Sequence, residues 1–410
     1  MKYELGTIDH GFVPRKLTVD YATMCTGDID TELLRQAFEM LCRKYPMLGG
    51  TIEIDGGRGY LHTPDTGSGA ASVEIIDSTI ADWLARTEPL DPAASVARLE
   101  IVLDDGVTAV ALRVAHAIND AQMGFALLED FWHMAAALSG TAAVLDPTPV
   151  HPRRLEELYL ERGLPLPELS GSAPGPVYSV PSSEVPGESM FRLSPGDRIT
   201  LSASDTRALL GNARAWGTTI HALVSAAIIR AERAMIAESA DSATELPMIM
   251  YHLVDLRPHL DPPARPSDAT NALGFAPTIT PCGSGSDLQV LAKETKEQIV
   301  RGIDTGSALA VMRAAATLAA ERRTRNSTGN FLTNWGVVPD LECPQGMQIT
   351  GFRGFATSEP VSWVGYFVYT FRGELTVELE YSDRFHRPEQ ITDLHGILTA
   401  NLKQLSRSTR

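Results

Sequence analysis

The segment Arg113-Val114-Ala115-His116-Ala117-Ile118-Asn119-Asp120 sets an imidazole and a carboxylate four residues apart. Imidazole is the side chain whose ordinary pKa lies nearest neutrality, so a histidine held against a hydroxyl or amine can take its proton as a general base. A carboxylate four residues on, across a turn, can orient the loop or the ring. The spacing alone is close to what chance gives for this composition; the surrounding pattern is what gives it meaning. Other chemistries find less support. No GxSxG occurs, so there is no nucleophile elbow. No GxxxxGK[ST] occurs and no GxGxxG follows a strand, so nucleotide cofactors are unsupported. His252, Asp255 and His259 are interrupted by Pro258 and match no zinc spacing. His221 lies on the apolar face of a helix, as a core histidine would. Cys25, Cys42, Cys282 and Cys343 form no CxxC pair, which fits a reduced chain without a zinc ribbon or disulfide framework.

The elements around His116 can be read from periodicity. Arg98–Leu103 and Val107–Ala115 are two apolar runs joined by Asp104-Asp105-Gly106, a hairpin signature. Val110, Leu112, Val114 and His116 share one face by period two, so His116 points inward from a strand end. Asp120 then opens a helix with Ala121, Phe125, Leu128 and Trp132 on one side. Upstream, Asp30 caps a helix carrying Leu33, Leu34, Ala37, Phe38 and Leu41, stopped near Pro46. Short strands are expected at Gly50–Ile54 and Ser72–Ile76. Downstream, the pattern predicts a strand at Arg198–Leu201, a helix starting at Ser204 or Asp205, and a helix over Thr218–Ile236. A strand at Pro247–Leu253 and helices at Asp287–Gly302 and Ser307–Arg323 follow. Three or four strands between Phe331 and Tyr381 and a last helix at Pro388–Leu405 complete the reading. The Pro/Gly/Ser-rich stretch between Gly163 and Pro195 cannot hold a helix or a ladder. It reads as a crossover linker, 164–195, between two α/β halves, 1–163 and 196–410.

Composition sets the bounds. The chain has 410 residues, 44% hydrophobic and 21% charged, which is globular and long enough for two or three domains. Thirty-five Lys and Arg against 51 Asp and Glu give a formal charge of −16, which disfavours nucleic acid as a partner. Met1–Gly6 lacks the basic start and apolar core of a signal peptide, and no apolar run reaches the ~18 residues of a membrane helix. The expectation is a soluble cytoplasmic protein with no membrane span.

Several motifs, in order along the chain, resemble those of the condensation-domain-like acyltransferases, a superfamily that includes peptide-synthetase condensation domains, plant-type alcohol acyltransferases and phthiocerol dimycocerosyl transferases. Leu33-Leu34-Arg35-Gln36-Ala37-Phe38 with Tyr45-Pro46-Met47-Leu48 is similar to their first helix and its stop. His116-Ala-Ile-Asn-Asp120 resembles their His-xxx-Asp motif. Thr218–Leu223 resembles the first long helix of the second lobe. Val254-Asp255-Leu256-Arg257-Pro258 and Asn271-Ala272-Leu273-Gly274 resemble the strand and loop after it. Thr333-Asn334-Trp335-Gly336 stands where relatives carry a tryptophan–glycine motif.

The resemblance implies a fold of two chloramphenicol-acetyltransferase-like lobes in a V-shaped pseudo-dimer, with the histidine in a tunnel between them. It implies that His116 takes the proton of an acceptor attacking an acyl thioester. It also implies that Asp120 is structural and pairs with Arg257. The co-substrate would be acyl-coenzyme A or a phosphopantetheine thioester on an acyl carrier protein, with no bound cofactor and no metal. The acceptor would be a hydroxyl of a secondary metabolite or lipid, and the enzyme a monomer. Two other readings stand beside ester formation: amide-forming condensation, and a non-catalytic carrier-docking module, against which the retained His116 weighs. Thr333, Asn334 and Trp335 are expected on the tunnel floor or, for Trp335, in the core; Thr333 or Asn334 could donate to an oxyanion. Arg322, Arg323 and Arg325 are the densest basic cluster, either a solvated helix end or a docking site for an acidic donor. Two departures from the family pattern stand out. Ala115 replaces a second histidine common in condensation domains, and Ala121 replaces the usual glycine after the aspartate.

Overall fold

Strand Val107–Ala115 is buried along nearly its whole length because both of its faces are covered. In the computed structural model, which describes every residue except 66, 144–147, 171–174, 184–190, 193–197, 237–243, 322–328 and 408–410, this strand is the middle of a five-stranded sheet. The sheet order is Met347–Thr357, Thr18–Gly27, Val107–Ala115, Ala97–Asp104 and Ser72–Asp77, antiparallel except for the last pair. Helices Thr31–Lys44 and Ala121–Leu138 cover one face. Asp30 caps the first by accepting from the Glu32 and Leu33 amides at 3.0 Å, and Leu34, Ala37, Phe38 and Leu41 enter the core with Leu112, Val114, Leu128 and Trp132. Burial of such side chains contributes about 1.5–3 kcal/mol each.

The second large sheet has seven strands. Its path runs Leu273–Cys282, Leu246–Asp255, Asn330–Val337, Gly365–Phe371, Glu374–Ser382 and Phe191–Arg192, with Ile199–Thr200 also pairing to Glu374–Ser382. Helices Ala203–Ala215, Ile220–Met235 and Pro388–Ser406 bury one face around Leu223, Ile228, Tyr366, Val377 and Leu398. Helix starts follow side-chain caps: Ser202 accepts from Asp205 N, and Thr219 from Ala222 N at 3.1 Å. The first of these sets the start of Ala203–Ala215 one residue before the earlier of the two expected starts, Ser204, because the Ser202 hydroxyl takes the free Asp205 amide. A small sheet, Lys2–Glu4, Arg58–His62 and Thr51–Asp55, flanks the first.

Two strands tie the halves together. Thr18–Gly27 has no period-two signature because residues 18–23 are all buried, Asp20 and Thr23 included. Met347–Thr357 leaves the second sheet and pairs with Thr18–Gly27 from Met347 opposite Gly27 to Thr357 opposite Thr18. Arg353 on that returning strand donates from Nε to Glu378 at 3.0 Å, so a buried ion pair links the two sheets. In the described part of the crossover, Tyr178 bridges Met248 and Val180 is buried in the second core.

Tyr21, on the doubly buried strand, sets a packing limit. A Cβ placed on Gly124 would lie 1.9 Å from the Tyr21 ring and hydroxyl. Gly to Ala inside a helix ordinarily stabilises by about 0.5–1 kcal/mol. Here the sign reverses, because Tyr21 is buried and hydrogen-bonded and cannot retreat. Gly124→Ala is expected to destabilise by about 1–3 kcal/mol in urea unfolding; a gain in stability would show that the ring moves freely.

Candidate active site

His116 occupies a single turn of 3₁₀ helix, His116–Ile118, between the end of strand Val107–Ala115 and the start of helix Ala121–Leu138. Its backbone amide donates to the Leu17 carbonyl at 2.7 Å, fixing the turn to the neighbouring strand end. The ring stacks on Phe12, with centroids 3.9 Å apart and planes at 18°. Only 9% of the residue is exposed. Burial pushes its pKa below the ordinary value, with its own backbone carbonyl and the Asp120 carboxylate pulling the other way. The imidazole is therefore neutral at pH 7.

Asn119 closes the turn from inside. Its Nδ2 donates to the Ala115 carbonyl at 3.0 Å, and its Oδ1 accepts from the Tyr21 hydroxyl at 2.7 Å. Asp120 is the cap of the helix that follows: Oδ1 accepts from Met123 N at 3.0 Å. Its other oxygen leaves the first half of the chain. Oδ2 accepts from Arg257 Nη1 at 2.7 Å and from the Ala272 amide at 2.8 Å. Arg257 also donates to Asp255 at 3.1 Å and to the Ala269 carbonyl at 2.9 Å. Burial alone would lower the Arg257 pKa, but the Asp120 and Asp255 carboxylates outweigh it and hold the guanidinium charged.

Trp335 reaches the same region from the second sheet. A register shift between Asn334 and Gly336 makes it a bulge residue, and bulges re-aim side chains. Its ring packs against Tyr21, Phe125 and Phe367 at 5.5–6.0 Å, and its carbonyl accepts from Gln122 at 2.9 Å. Thr333 is buried and in register with Phe367 and Leu253 on the same face. The Asn334 side chain is engaged locally, accepting from Gly336 N at 3.0 Å. Arg322, Arg323 and Arg325 lie outside the described residues.

His221 and His252 form a pair of their own, apart from His116. Their rings share a 2.9 Å contact, and His252 reaches Thr278 at 2.9 Å. Burial holds His221 down to about 4. Among the described residues, no three His, Cys, Asp or Glu side chains gather as metal ligands, and no helix is long and apolar enough to cross a membrane.

Comparison with known proteins agrees with this architecture. A family model described as phthiocerol/phthiodiolone dimycocerosyl transferase C-terminus matches residues 192–380. The phthiocerol/phthiodiolone dimycocerosyl transferase of Mycobacterium bovis (strain BCG / Pasteur 1173P2) is 25% identical over 370 residues, covering 86% of this chain and 85% of that one. Polyketide synthase associated protein 5 from Mycobacterium tuberculosis superposes with a TM-score of 0.76 at 20% identity, over 100% of this chain and 98% of that one. The trichothecene 15-O-acetyltransferase of Fusarium sporotrichioides gives 0.74 at 10% identity, over 99% and 96%. At such identities the structural likenesses establish the fold, and the sequence match runs through both halves. The chain is thus similar to the dimycocerosyl transferases along most of its length and has the two-lobed fold of the condensation-domain-like acyltransferases.

In this chain the structure brings together His116, Asp120 and Arg257, with Trp335 behind them. It adds five residues with no role in the sequence reading: Asp9, Phe12, Tyr21, Asn119 and Asn271. Two of them carried a signal: Asn119 lies inside the segment that resembles the family's His-xxx-Asp motif, and Asn271 is the first residue of another segment resembling the family's. Asp9 is 3% exposed, and burial raises its pKa to about 7 against the hydrogen bonds it accepts from Asn271 and Thr270.

The Asp120–Arg257 pair makes a stability prediction. Both side chains are 2% exposed, so removing one strands the other without water. Asp120→Ala and Arg257→Ala are each expected to lower unfolding free energy by about 3–5 kcal/mol, read from chemical denaturation. Loss of turnover in Asp120→Ala at full stability would mean that Asp120 works on the substrate instead.

Proposed function

We propose that this enzyme transfers an acyl group from a thioester, on coenzyme A or a carrier-protein arm, to a hydroxyl of a lipid or secondary metabolite. The observation that carries this reading is His116 itself: a neutral, buried imidazole on a strand end, stacked on Phe12 and held by groups from both halves of the chain. The relatives support the reaction class. Those named above are a dimycocerosyl transferase and an O-acetyltransferase, both ester-forming.

The proposed sequence of events needs no covalent enzyme intermediate. His116 takes the proton of the acceptor hydroxyl as its oxygen attacks the thioester carbonyl. The tetrahedral intermediate then collapses, the C–S bond breaks, and the imidazolium returns its proton to the departing thiolate. Ester and free thiol leave, and the histidine is neutral again. Thr333 is the proposed donor to the oxyanion, supported by its burial on the sheet face shared with Trp335. Asp120 and Arg257 hold the loop and stay out of the proton path.

Residues 1–163 and 196–410 act in this scheme as two lobes joined by the 164–195 crossover, with Met347–Thr357 lent to the first lobe. One chain supplies every group, so the working unit is taken as a monomer. The donor is anionic and the chain carries −16 overall. Its approach therefore calls for local positive charge, and Arg322, Arg323 and Arg325 are proposed to supply it.

The test is thiol release from acetyl-, octanoyl- and palmitoyl-coenzyme A, with and without an alcohol. Release should require the alcohol and fall by about 10²–10⁴ in His116→Ala, with an unchanged circular dichroism spectrum. Acceptor-dependent release undiminished in His116→Ala would overturn the assignment. A second outcome follows from the lowered pKa. The base must be unprotonated to act, so kcat/KM should be level at pH 7 and fall only below the ordinary 6.5. An acid limb centred above that value would contradict it.

A further inference from the structure

One face of the second sheet is left half-covered. On strands Leu246–Asp255 and Leu273–Cys282, Met250, His252, Ala276 and Thr278 are buried, whereas Tyr251, Leu253, Phe275, Pro277 and Ile279 between them are each partly exposed. Phe331 on strand Asn330–Val337 is partly exposed as well. Alternation by two puts these six on one face. Register makes them a block: Tyr251 lies between Pro277 and Phe331, and Leu253 between Phe275 and Thr333. The face looks toward the first lobe, because the rings of Phe331, Phe367, Trp335 and Tyr21 follow one another at 5.5–5.7 Å.

Two of its aromatic side chains are seated on glycines. A Cβ on Gly329 would lie 2.7 Å from the Tyr251 ring, and one on Gly365 would lie 2.7 Å from the Phe331 ring. Tyr251 also stacks on Phe275, with centroids 4.7 Å apart and planes at 20°, and Trp363 meets Phe331 edge-on at 4.5 Å. Glycine at a strand position often marks the close approach of a ligand or another backbone. Here the two glycines keep the rings down on the sheet, and the block stays a low apolar floor without a charged side chain. Such a floor beside a reactive centre gains by burying an apolar ligand.

The neighbouring residue names the occupant. Thr333, the proposed oxyanion donor, borders the floor in register with Leu253. A thioester whose carbonyl oxygen sits at Thr333 carries its acyl chain on that same carbonyl carbon, so the chain starts at the edge of the floor. From Leu253 back to Ile249 the strand covers about 13 Å, the reach of an extended medium-length chain.

We propose that Tyr251, Leu253 and Phe331 form the acyl-chain subsite and make the reaction select a medium-length apolar acyl group over acetyl. This rests on the reading of His116 and Thr333 as the groups that meet the thioester, and deepens it.

The test is a competition between acetyl- and octanoyl-coenzyme A for ethanol, with both ester products counted. Burial of each methylene favours the longer donor by about three- to fourfold. The wild type should therefore prefer octanoyl by at least about 10²-fold in kcat/KM. Leu253→Asn keeps the side chain's size and makes it polar, and Gly365→Ala pushes the Phe331 ring into the path of the chain. Each should cut the ratio by about tenfold, and a ratio does not depend on how much of a variant is folded. A wild-type ratio near one, or a ratio that neither variant moves, overturns the proposal. Variants that shift the choice between ethanol and octanol as acceptors, and leave the donor ratio alone, overturn it in favour of an acceptor subsite. Thiol release that does not need His116 is a different failure, that of the base assignment. A donor accepted only on a carrier protein is covered by a second measurement, in which the whole chain is irradiated with an octyl pantetheine thioether bearing a terminal diazirine. Adducts on Leu246–Asp255 or Leu273–Cys282 support the subsite; adducts elsewhere, or none, overturn it.

Discussion

A carboxylate and a guanidinium buried together hold the site in one piece. Asp120 accepts three hydrogen bonds, from Met123, Ala272 and Arg257, and Arg257 returns charge-assisted bonds to Asp120 and Asp255 and a third bond to Ala269. Taking two such charges out of water costs several kcal/mol per ion unless the geometry satisfies them. Here it nearly does, and the satisfied arrangement exists only when the turn after Val107–Ala115 meets the turn after Leu246–Asp255. The pair spans 137 residues of sequence. It adds little to stability that an apolar pair could not, but it specifies one docking of the two halves. The position of His116 follows from that docking.

The rest of the site is arranged around the same junction. Tyr21 reads the turn through Asn119 and the Asp120 carbonyl, and Gly124 leaves it room. Trp335 bulges from the second sheet onto Tyr21 and Phe125, so an aromatic cluster lies behind the polar one. Each lobe contributes one strand end and one loop, and neither builds the surroundings of His116 alone. The electrostatic consequence is a histidine kept neutral by burial while acceptors around its ring resist that fall. A neutral imidazole is what proton removal from a hydroxyl requires.

Much of this was legible in the sequence where the signal is local. The Asp-Gly hairpin, the period-two face of Val110, Leu112 and Val114, and the Asp30 and Asp120 caps each depend on neighbours within a few residues, and all appear in the fold. The helices and strands expected in the second half fall within two or three residues of their expected bounds, whereas the strand Leu273–Cys282 had no bounds assigned. Thr18–Gly27 was invisible because a strand covered on both faces loses its alternation, and its buried Asp20 and Thr23 mimic a loop. The return of Met347–Thr357 to the first sheet carries no local mark at all. Pairing between residues more than three hundred apart is decided by shape and by buried partners such as Arg353 and Glu378. Asp9 was missed for the same reason: its meaning lies in Asn271, 262 residues away.

Through one buried pair, the second half of the chain fixes His116, the proposed base, in the first. A double-mutant cycle on Asp120→Ala and Arg257→Ala, followed by urea unfolding, measures that coupling directly. If the pair is the junction, the double variant is less damaged than the two single losses summed, by about 0.5–3 kcal/mol. Losses that add within about 0.5 kcal/mol would mean that the two residues act independently, and that something else holds the halves around His116.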